Sequence, residues 1–151
     1  MNQFVERYGI SFFGDTVVRT SYYKYLHPKE CYIDSCRVHA DFLNSIKFQN
    51  KKKRVILNDD ILDDNITTED DSNLKLVYPY GQSLTVDVST SVIFNSGIVA
   101  YPANRPLAAC NVSKNKRGKL FVMGSERFFD DEFFEKEENK KITVTNKTYI
   151  K

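Results

Sequence analysis

Apolar residues recur in short runs separated by turn-forming residues over the second half of the chain, which predicts β-strands rather than long helices. At residues 74–78, large apolar side chains occupy alternate positions, as in a strand with one face toward a core. Further strands are predicted at residues 10–13, 84–88, 91–94, 98–101, 107–112 and 120–123. Residues 115–118 are expected to join the last two strands as a hairpin.

Helical signals are fewer. Residues 2–8 read as the end of a helix that stops at Gly9, because glycine adopts the left-handed conformation that commonly follows a helix. A second helix is predicted to begin at Asp34 or Ser35 and to run to about residue 48, with apolar residues four apart. A third helical or turn-rich segment follows Ser125, which we interpret as its N-cap.

Three segments have a different character. Residues 49–73 contain a run of four bases and then an acidic stretch, which predicts a long solvated loop. Residues 22–28 are aromatic and end at a proline, which favours an extended conformation. Residues 143–151 are rich in β-branched side chains and are expected to form helix poorly.

Composition excludes several classes of protein. The 151 residues suffice for one domain, and 22 basic against 20 acidic residues give a net charge of +2, too small to indicate nucleic-acid binding. No apolar run approaches the ~20 residues of a membrane-spanning helix, and the first seven residues lack the core of a secretory signal. Three cysteines, an odd number, favour a reducing compartment. We therefore expect a cytosolic chain without membrane insertion.

Candidate catalytic and metal-binding motifs are incomplete. Cys31, Cys36 and His39 lie close in sequence but lack the usual close cysteine pair and a nearby fourth ligand, so no zinc site is predicted. Gly124 and Ser125 follow an apolar strand, but the second glycine of a nucleophile turn is missing and no histidine lies downstream. No glycine-rich nucleotide-binding motif is present. We expect no catalytic residue, metal or cofactor.

Three stretches carry a resemblance to a known family. The first comprises ERYGI at 6–10, DTVVR at 15–19 and KYLHPKE at 24–30, and the second comprises VYPYG at 77–81 with LTV at 84–86. The third comprises YPANRPLAA at 101–109, SKN at 113–115 and GKLFVMGS at 118–125, and it continues through KEENKKI at 136–142. In this order, and over most of residues 4–142, they resemble the N-terminal domain of the intraflagellar transport protein 52 family.

The resemblance implies an α/β fold with a mixed, largely parallel sheet flanked by helices, similar to the class I glutamine amidotransferases. The resemblance implies that the family's domain opens with a strand-helix-strand unit, and we expect that unit to be missing here. We therefore expect residues 1–142 to form a partial α/β domain, with the charged loop at 49–73 and a divergent tail at 143–151. The amidotransferases place a nucleophilic cysteine between glycines in a strand-to-helix turn, and Cys31, Cys36 and Cys110 lack those glycines. The resemblance thus implies no catalysis.

The same resemblance implies a function. The chain would be a non-catalytic scaffold or adaptor subunit of intraflagellar transport complex B, needed for train assembly and for formation of the cilium or flagellum. Its partners would be other complex B subunits. It would be located at the cilium and its basal body, with a cytoplasmic pool. Expressed without the missing unit, it is expected to expose apolar sheet surface and to aggregate.

A second class of function stays open, a small-ligand or glycan-binding domain derived from the amidotransferase-like fold. In such sheets ligands bind beyond the carboxyl ends of the strands. Tyr80, Asn104, Arg105 and Ser125 each follow a predicted strand. Arg105 has a competing interpretation, because it could instead satisfy the carbonyl groups of the loop between two prolines, residues 102 and 106.

Overall fold

A computed structural model describes residues 2–37, 73–113 and 118–149. Nine strands are described in these ranges: β1 Ile10–Phe12, β2 Val18–Arg19, β3 Glu30–Arg37, β4 Asn73–Pro79, β5 Leu84–Val86, β6 Ser91–Asn95, β7 Ala100–Tyr101, β8 Pro106–Val112 and β9 Lys119–Met123. The helices are α1 Asn2–Glu6, a 3₁₀ turn at Arg127–Phe129, α2 Asp131–Phe134 and α3 Asn139–Tyr149. The fold is α/β, with small sheets and few helices.

The described strands form four small sheets, and every pair in them is antiparallel. β1 pairs with β5, β2 with β7 and β3 with β4, while β6, β8 and β9 form a three-stranded sheet in that order. The expected largely parallel sheet is therefore not found among the described residues. The short connection between β8 and β9 explains why this pair is antiparallel, since parallel neighbours need a crossover of a dozen or more residues.

Most predicted strands are confirmed, with ends that differ by one or two residues. The predicted hairpin is confirmed by its strands, and the Ser113 N–H donates to the Gly118 carbonyl at 2.9 Å. The helix predicted from Asp34 or Ser35 is wrong at its start, because both residues lie in β3, whose backbone pairs with β4. Cys36 and Arg37 lie in β3 as well, and the rest of that helix, from residue 38, lies outside the described residues together with the charged loop apart from Asn73.

The core lies on both faces of β8. Ala108 and Cys110 of this strand belong to the larger apolar cluster, whereas Ala109 belongs to a smaller one. The larger cluster includes Ile33, Leu76, Tyr78, Phe94, Leu107, Phe128 and Ile142, and the smaller includes Val5, Ile10, Leu84 and Val122. Each large side chain contributes about 1.5–3 kcal/mol when buried, so these two clusters supply most of the driving force for folding.

The C-terminal helices cover the edge of β4 that does not pair with β3. Asn139 is fully buried, and its side-chain oxygen accepts a hydrogen bond from the Val77 N–H at 3.0 Å. Its amide nitrogen donates to the carbonyls of Val77 at 2.9 Å and Phe133 at 3.0 Å. One side chain thus takes the place of a neighbouring strand at this point of the edge.

The expectation of a poor helix after residue 142 is wrong, since α3 continues to Tyr149. Ile142 is fully buried in the larger cluster, and Thr143 and Thr145 are buried as well. The Thr143 hydroxyl donates to the Asn139 carbonyl at 3.2 Å, which gives this β-branched residue a partner within the helix. Tertiary packing therefore overrides weak helix propensity. The division at residue 142 stays a prediction.

No described helix is long and apolar enough to cross a bilayer.

Glu137 fastens the segment before α3 to the aromatic loop, which we define as residues 20–28. Its carboxylate forms an ion pair with Lys24 and accepts a hydrogen bond from the Tyr25 hydroxyl at 2.8 Å. Burial acts to raise the pKa of Glu137, but the hydrogen bonds from Lys24 and Tyr25 outweigh it and hold the pKa below its usual value. The carboxylate therefore stabilises the fold when ionised.

We expect Glu137→Gln to lower the free energy of unfolding by about 1 kcal/mol near neutral pH. Because the pKa is lowered by folding, this stabilisation is present above the ordinary glutamate pKa and is lost as the pH falls through the folded value. Urea unfolding of both proteins at about pH 7 and at acidic pH measures it, with the difference shrinking as the pH falls. A difference that persists in acid would contradict the assignment.

Candidate functional site

An open cleft of about 890 Å³ lies at the carboxyl end of β9. Tyr80 and Ser125, two of the four residues selected from the sequence, both line it. The other lining residues come from α1, β1 and the segment after it, the turn after β4, β9 and the segment after it, and the 3₁₀ turn: Asn2, Phe12, Gly14, Gln82, Phe121, Met123, Gly124, Glu126 and Phe129. The walls combine aromatic and apolar side chains with polar groups in about equal measure, and among the described lining residues Glu126 is the charged one.

Two glycines allow the backbone to pack closely beneath this cleft. A Cβ atom on Gly124 would lie 2.0 Å from the Gln82 carbonyl oxygen and 2.5 Å from the Tyr78 hydroxyl oxygen. A Cβ atom on Gly81 would lie 2.3 Å from the Tyr78 ring. The Tyr78 hydroxyl donates to the Gln82 carbonyl at 2.8 Å, and the Gln82 N–H donates to the Gly124 carbonyl at 3.1 Å. The turn after β4 is thereby fixed against the end of β9.

Tyr80 is held in an unusual backbone conformation by contacts on several sides. Its φ of 49° lies in the left-handed region, which few non-glycine residues adopt. Its N–H donates to the Lys29 carbonyl at 2.8 Å, and its hydroxyl donates to the Glu30 carboxylate at 3.2 Å. The Arg127 guanidinium lies 4.5 Å from the centre of its ring, and the His27 ring lies 4.8 Å away. Tyr80 is therefore a rigid wall of the cleft, bound to neighbouring loops.

Ser125 has a structural role in place of the predicted N-cap. Its hydroxyl donates a hydrogen bond to the Pro79 carbonyl, and the residue is only 2% exposed. The 3₁₀ turn begins after Glu126, and no side-chain hydrogen bond caps it. The cap prediction fails because the hydroxyl binds across to the end of β4, a partner far away in sequence.

We expect Ser125→Ala to lower the free energy of unfolding by about 1–3 kcal/mol, because the buried Pro79 carbonyl loses its partner. Chemical denaturation of the two proteins measures this loss. Thr85→Ala, at an exposed position of β5, serves as the control and should change stability by less than about 0.5 kcal/mol. Equal stability of the serine variant and the unaltered protein would exclude a structural role for this hydroxyl.

Asn104 and Arg105 do not line the cleft. Asn104 is exposed in the turn before β8, with a φ of 53°, and its N–H donates to the Gly97 carbonyl at 2.7 Å. The Arg105 guanidinium lies 4.7 Å from the centre of the Phe13 ring. The Ser96 hydroxyl, just after β6, donates to the carbonyl of Pro102 in the loop after β7 at 2.7 Å. A serine hydroxyl thus binds one of the carbonyls considered for Arg105, and the arginine stacks on an aromatic ring.

The described thiols are poorly suited to nucleophilic chemistry. Burial raises the pKa of the Cys31 thiol to about 12, and it also raises the pKa of Cys110. Both thiols therefore stay protonated near neutral pH. No group of three or more metal-ligating side chains occurs within the described ranges. His39 and the side chain of Cys36 lie outside them.

Sequence reasoning missed the apolar walls of the cleft. Phe121 and Met123 alternate with Val122 along β9, and strand alternation does place them on one face. Val122 packs in the smaller cluster, while Phe121 and Met123 line the cleft and also contact the larger one. The alternation was therefore a usable signal, but it could not tell that part of this face stays open.

Comparison with known proteins agrees with the motifs. A family model described as the IFT52 GIFT domain matches residues 1–150. The human protein named Intraflagellar transport protein 52 homolog is 38% identical over 142 residues, which cover 94% of this chain and 31% of that protein. The mouse protein of the same name is 37% identical over 143 residues, which cover 94% of this chain and 32% of that protein.

The structural comparison gives the same answer. A solved structure titled mmIFT52 N-terminal domain superimposes with a TM-score of 0.71 at 34% identity, over 98% of this chain and 56% of that one. The chain spans about a third of the length of the curated relatives it matches. Because the family model covers nearly every residue, the chain belongs to the IFT52 GIFT domain family.

Proposed function

We propose that the chain acts as a non-catalytic scaffold or adaptor subunit of intraflagellar transport complex B. The match of the family model to residues 1–150 carries this proposal. The identity to the human and mouse proteins over 94% of the chain supports it. In this role the chain takes part in train assembly and in formation of the cilium or flagellum.

The geometry supports binding rather than turnover. The Ser125 hydroxyl is buried and already donates to a carbonyl, so it is not presented to a substrate. Burial of Cys31 and Cys110 keeps both thiols in the unreactive protonated form. These side chains contribute to packing and hydrogen bonding, which suits a rigid module that other proteins bind.

The proposed partners are other subunits of complex B, bound through protein surfaces. The proposed location is the cilium or flagellum and its basal body, with a cytoplasmic pool from which trains assemble. Several large apolar side chains on the described surface are available for such contacts, among them Phe13 and Ile98.

Expression of the fluorescently tagged chain in a ciliated cell tests this function. We expect signal at the basal body and along the axoneme, moving with a labelled complex B subunit. The tag alone is the control and should stay diffuse. A tagged chain that is folded and yet as diffuse as the tag would contradict the proposal.

The cleft supports a second candidate function, binding of a small ligand or glycan. Its volume of about 890 Å³ lies within the range of small-molecule sites, and Tyr80 provides an aromatic wall. A thermal-shift screen with sugars, nucleotides and glutamine tests this function. A ligand of the cleft should no longer raise the melting temperature of Phe129→Ala, because this variant lacks a lining side chain. It should still raise that of Arg105→Ala, because Arg105 does not line the cleft. No reproducible shift with any compound would speak against the candidate.

A further inference from the structure

The aromatic loop combines rigid fixation with exposed apolar side chains. Leu26 is 83% exposed, Tyr22 is 67% exposed and Tyr23 is 56% exposed, all within five consecutive residues. Side chains this exposed bury little apolar surface when the chain folds. The stability of the fold therefore does not account for large apolar residues at these positions. We propose that the aromatic loop is the anchor by which the chain docks on a partner protein, whose facing surface is apolar with an acidic rim.

Arg19 fixes the backbone of the aromatic loop through two hydrogen bonds. Its guanidinium donates to the Tyr25 carbonyl and, at 2.8 Å, to the Leu26 carbonyl. The same group lies 4.7 Å from the centre of the Tyr22 ring and so covers one face of that ring. A single planar side chain therefore sets the direction of both exposed anchors.

Further contacts hold the two ends of the loop. The Thr20 hydroxyl donates to the Val99 carbonyl at 2.9 Å, and the Tyr23 ring lies 4.8 Å from that of Tyr32. Toward the other end, the His27 ring lies 4.8 Å from that of Tyr80. In the middle, Lys24 and Tyr25 bind Glu137, as described above. A loop ordered before binding loses less conformational entropy when a partner arrives, which increases affinity.

The composition of the loop suits a central binding contact. Tyrosine and arginine are enriched among the residues that dominate interface energies, and leucine supplies additional apolar area. A cavity of about 380 Å³ beside the loop is lined by Tyr23, Tyr32 and Val99 together with Arg19, Ser21, Asp34 and Lys75, and it offers space for a partner's side chain that carries a polar group. The loop thus presents both protruding anchors and a recess.

Charge identifies the kind of partner. Residues 16–29 contain three basic residues and no acidic one, and the carboxylate of the next residue, Glu30, accepts a hydrogen bond from the Tyr80 hydroxyl. Lys24 is paired with Glu137, whereas Lys29 is exposed and forms no ion pair within the described ranges. Lys75 adds a positive charge and Asp34 a negative charge at the cavity beside the loop. The net positive rim favours acidic groups around the apolar surface of the partner.

The inference rests on the proposed function, since the partner expected is a complex B subunit. The test measures binding of the purified chain to each complex B subunit, purified singly. We expect Tyr22→Ser combined with Leu26→Ser to weaken binding to one subunit at least about tenfold. The matched control combines Phe4→Ser with Val88→Ser, which are also exposed apolar positions, and should stay within about twofold. Thermal melts of both variants confirm that they fold.

The outcomes separate the two proposals. Binding of the unaltered chain that persists in the loop variant would overturn the anchor and leave the proposed function intact. A chain that binds no subunit would contradict both. Self-association that the loop variant abolishes would assign the surface to a second copy and overturn the assignment to a partner. Weaker binding of the loop variant supports the anchor. Binding of the unaltered chain that weakens as the salt concentration rises, and that is weaker in Lys29→Glu, supports the acidic rim.

Discussion

Asn139→Leu is expected to lower the free energy of unfolding by about 3–5 kcal/mol, a large part of the about 5–15 kcal/mol typical of a domain. The side chain is buried and makes three hydrogen bonds to backbone groups of Val77 and Phe133. Leucine has a similar size but leaves the buried N–H and carbonyl of Val77 without partners, while the Phe133 carbonyl keeps the Lys136 N–H at 3.2 Å. Each group left in this way costs about 1–3 kcal/mol.

Asn139→Asp tests whether the donors or the acceptor of this side chain matter. The introduced carboxylate can still accept from the Val77 N–H, but it cannot donate to the two carbonyls. Burial raises the pKa of such a carboxyl group, so the folded state binds a proton more readily than the unfolded one. The destabilisation should therefore shrink as the pH is lowered toward about 5, where the protonated group can donate once.

Urea unfolding followed by circular dichroism measures both variants. Lys140→Ala, at the next position, removes an exposed side chain that pairs with Glu135 and lies 5.4 Å from the centre of the Phe134 ring, and it should cost less than about 1 kcal/mol. If Asn139→Leu were no more harmful than this control, the amide would not replace a strand at the β4 edge.

Gly124→Ala is expected to lower the free energy of unfolding by about 3 kcal/mol or more, since overpacking against backbone is costly. The new methyl group would lie 2.0 Å from the Gln82 carbonyl oxygen, which belongs to the backbone and cannot rotate away. Relief requires the turn after β4 to move from the end of β9, which breaks the hydrogen bond between Gln82 and Gly124. The same displacement would open the floor of the cleft.

A matched glycine provides the control. A Cβ atom on Gly118 would meet no heavy atom within 4 Å, so Gly118→Ala should change stability by less than about 1 kcal/mol. Tyr78→Phe combined with Gly124→Ala removes the hydroxyl oxygen at 2.5 Å but leaves the carbonyl, so it should recover little of the loss. Equal melting temperatures for the two glycine variants would show that no close approach exists at Gly124.

The sequence by itself determined most of the strands, though not β3, and the family. Alternating apolar residues located β4, and short apolar runs located β6, β8 and β9, because the side chains of a strand alternate between its faces. The motif KEENKKI at residues 136–142 helped to identify the family, but the sequence alone did not show what these residues contact. The structure explains it, since Glu137 fastens the aromatic loop and Asn139 covers the edge of β4.

The tertiary structure decided what depends on distant partners. Asp34 and Ser35 have the local character of helix caps, but the residues on both sides of them pair with β4, which places them in a strand at an irregularity of the register. Thr143 and Thr145 have low helix propensity, but the burial of Ile142 in the core stabilises α3, which continues past both threonines. Tyr80 and Ser125 meet in one cleft, while Asn104 and Arg105 lie outside its lining. Local propensities amount to tenths of a kcal/mol per residue, whereas burial and strand pairing contribute more and involve residues far apart in the chain.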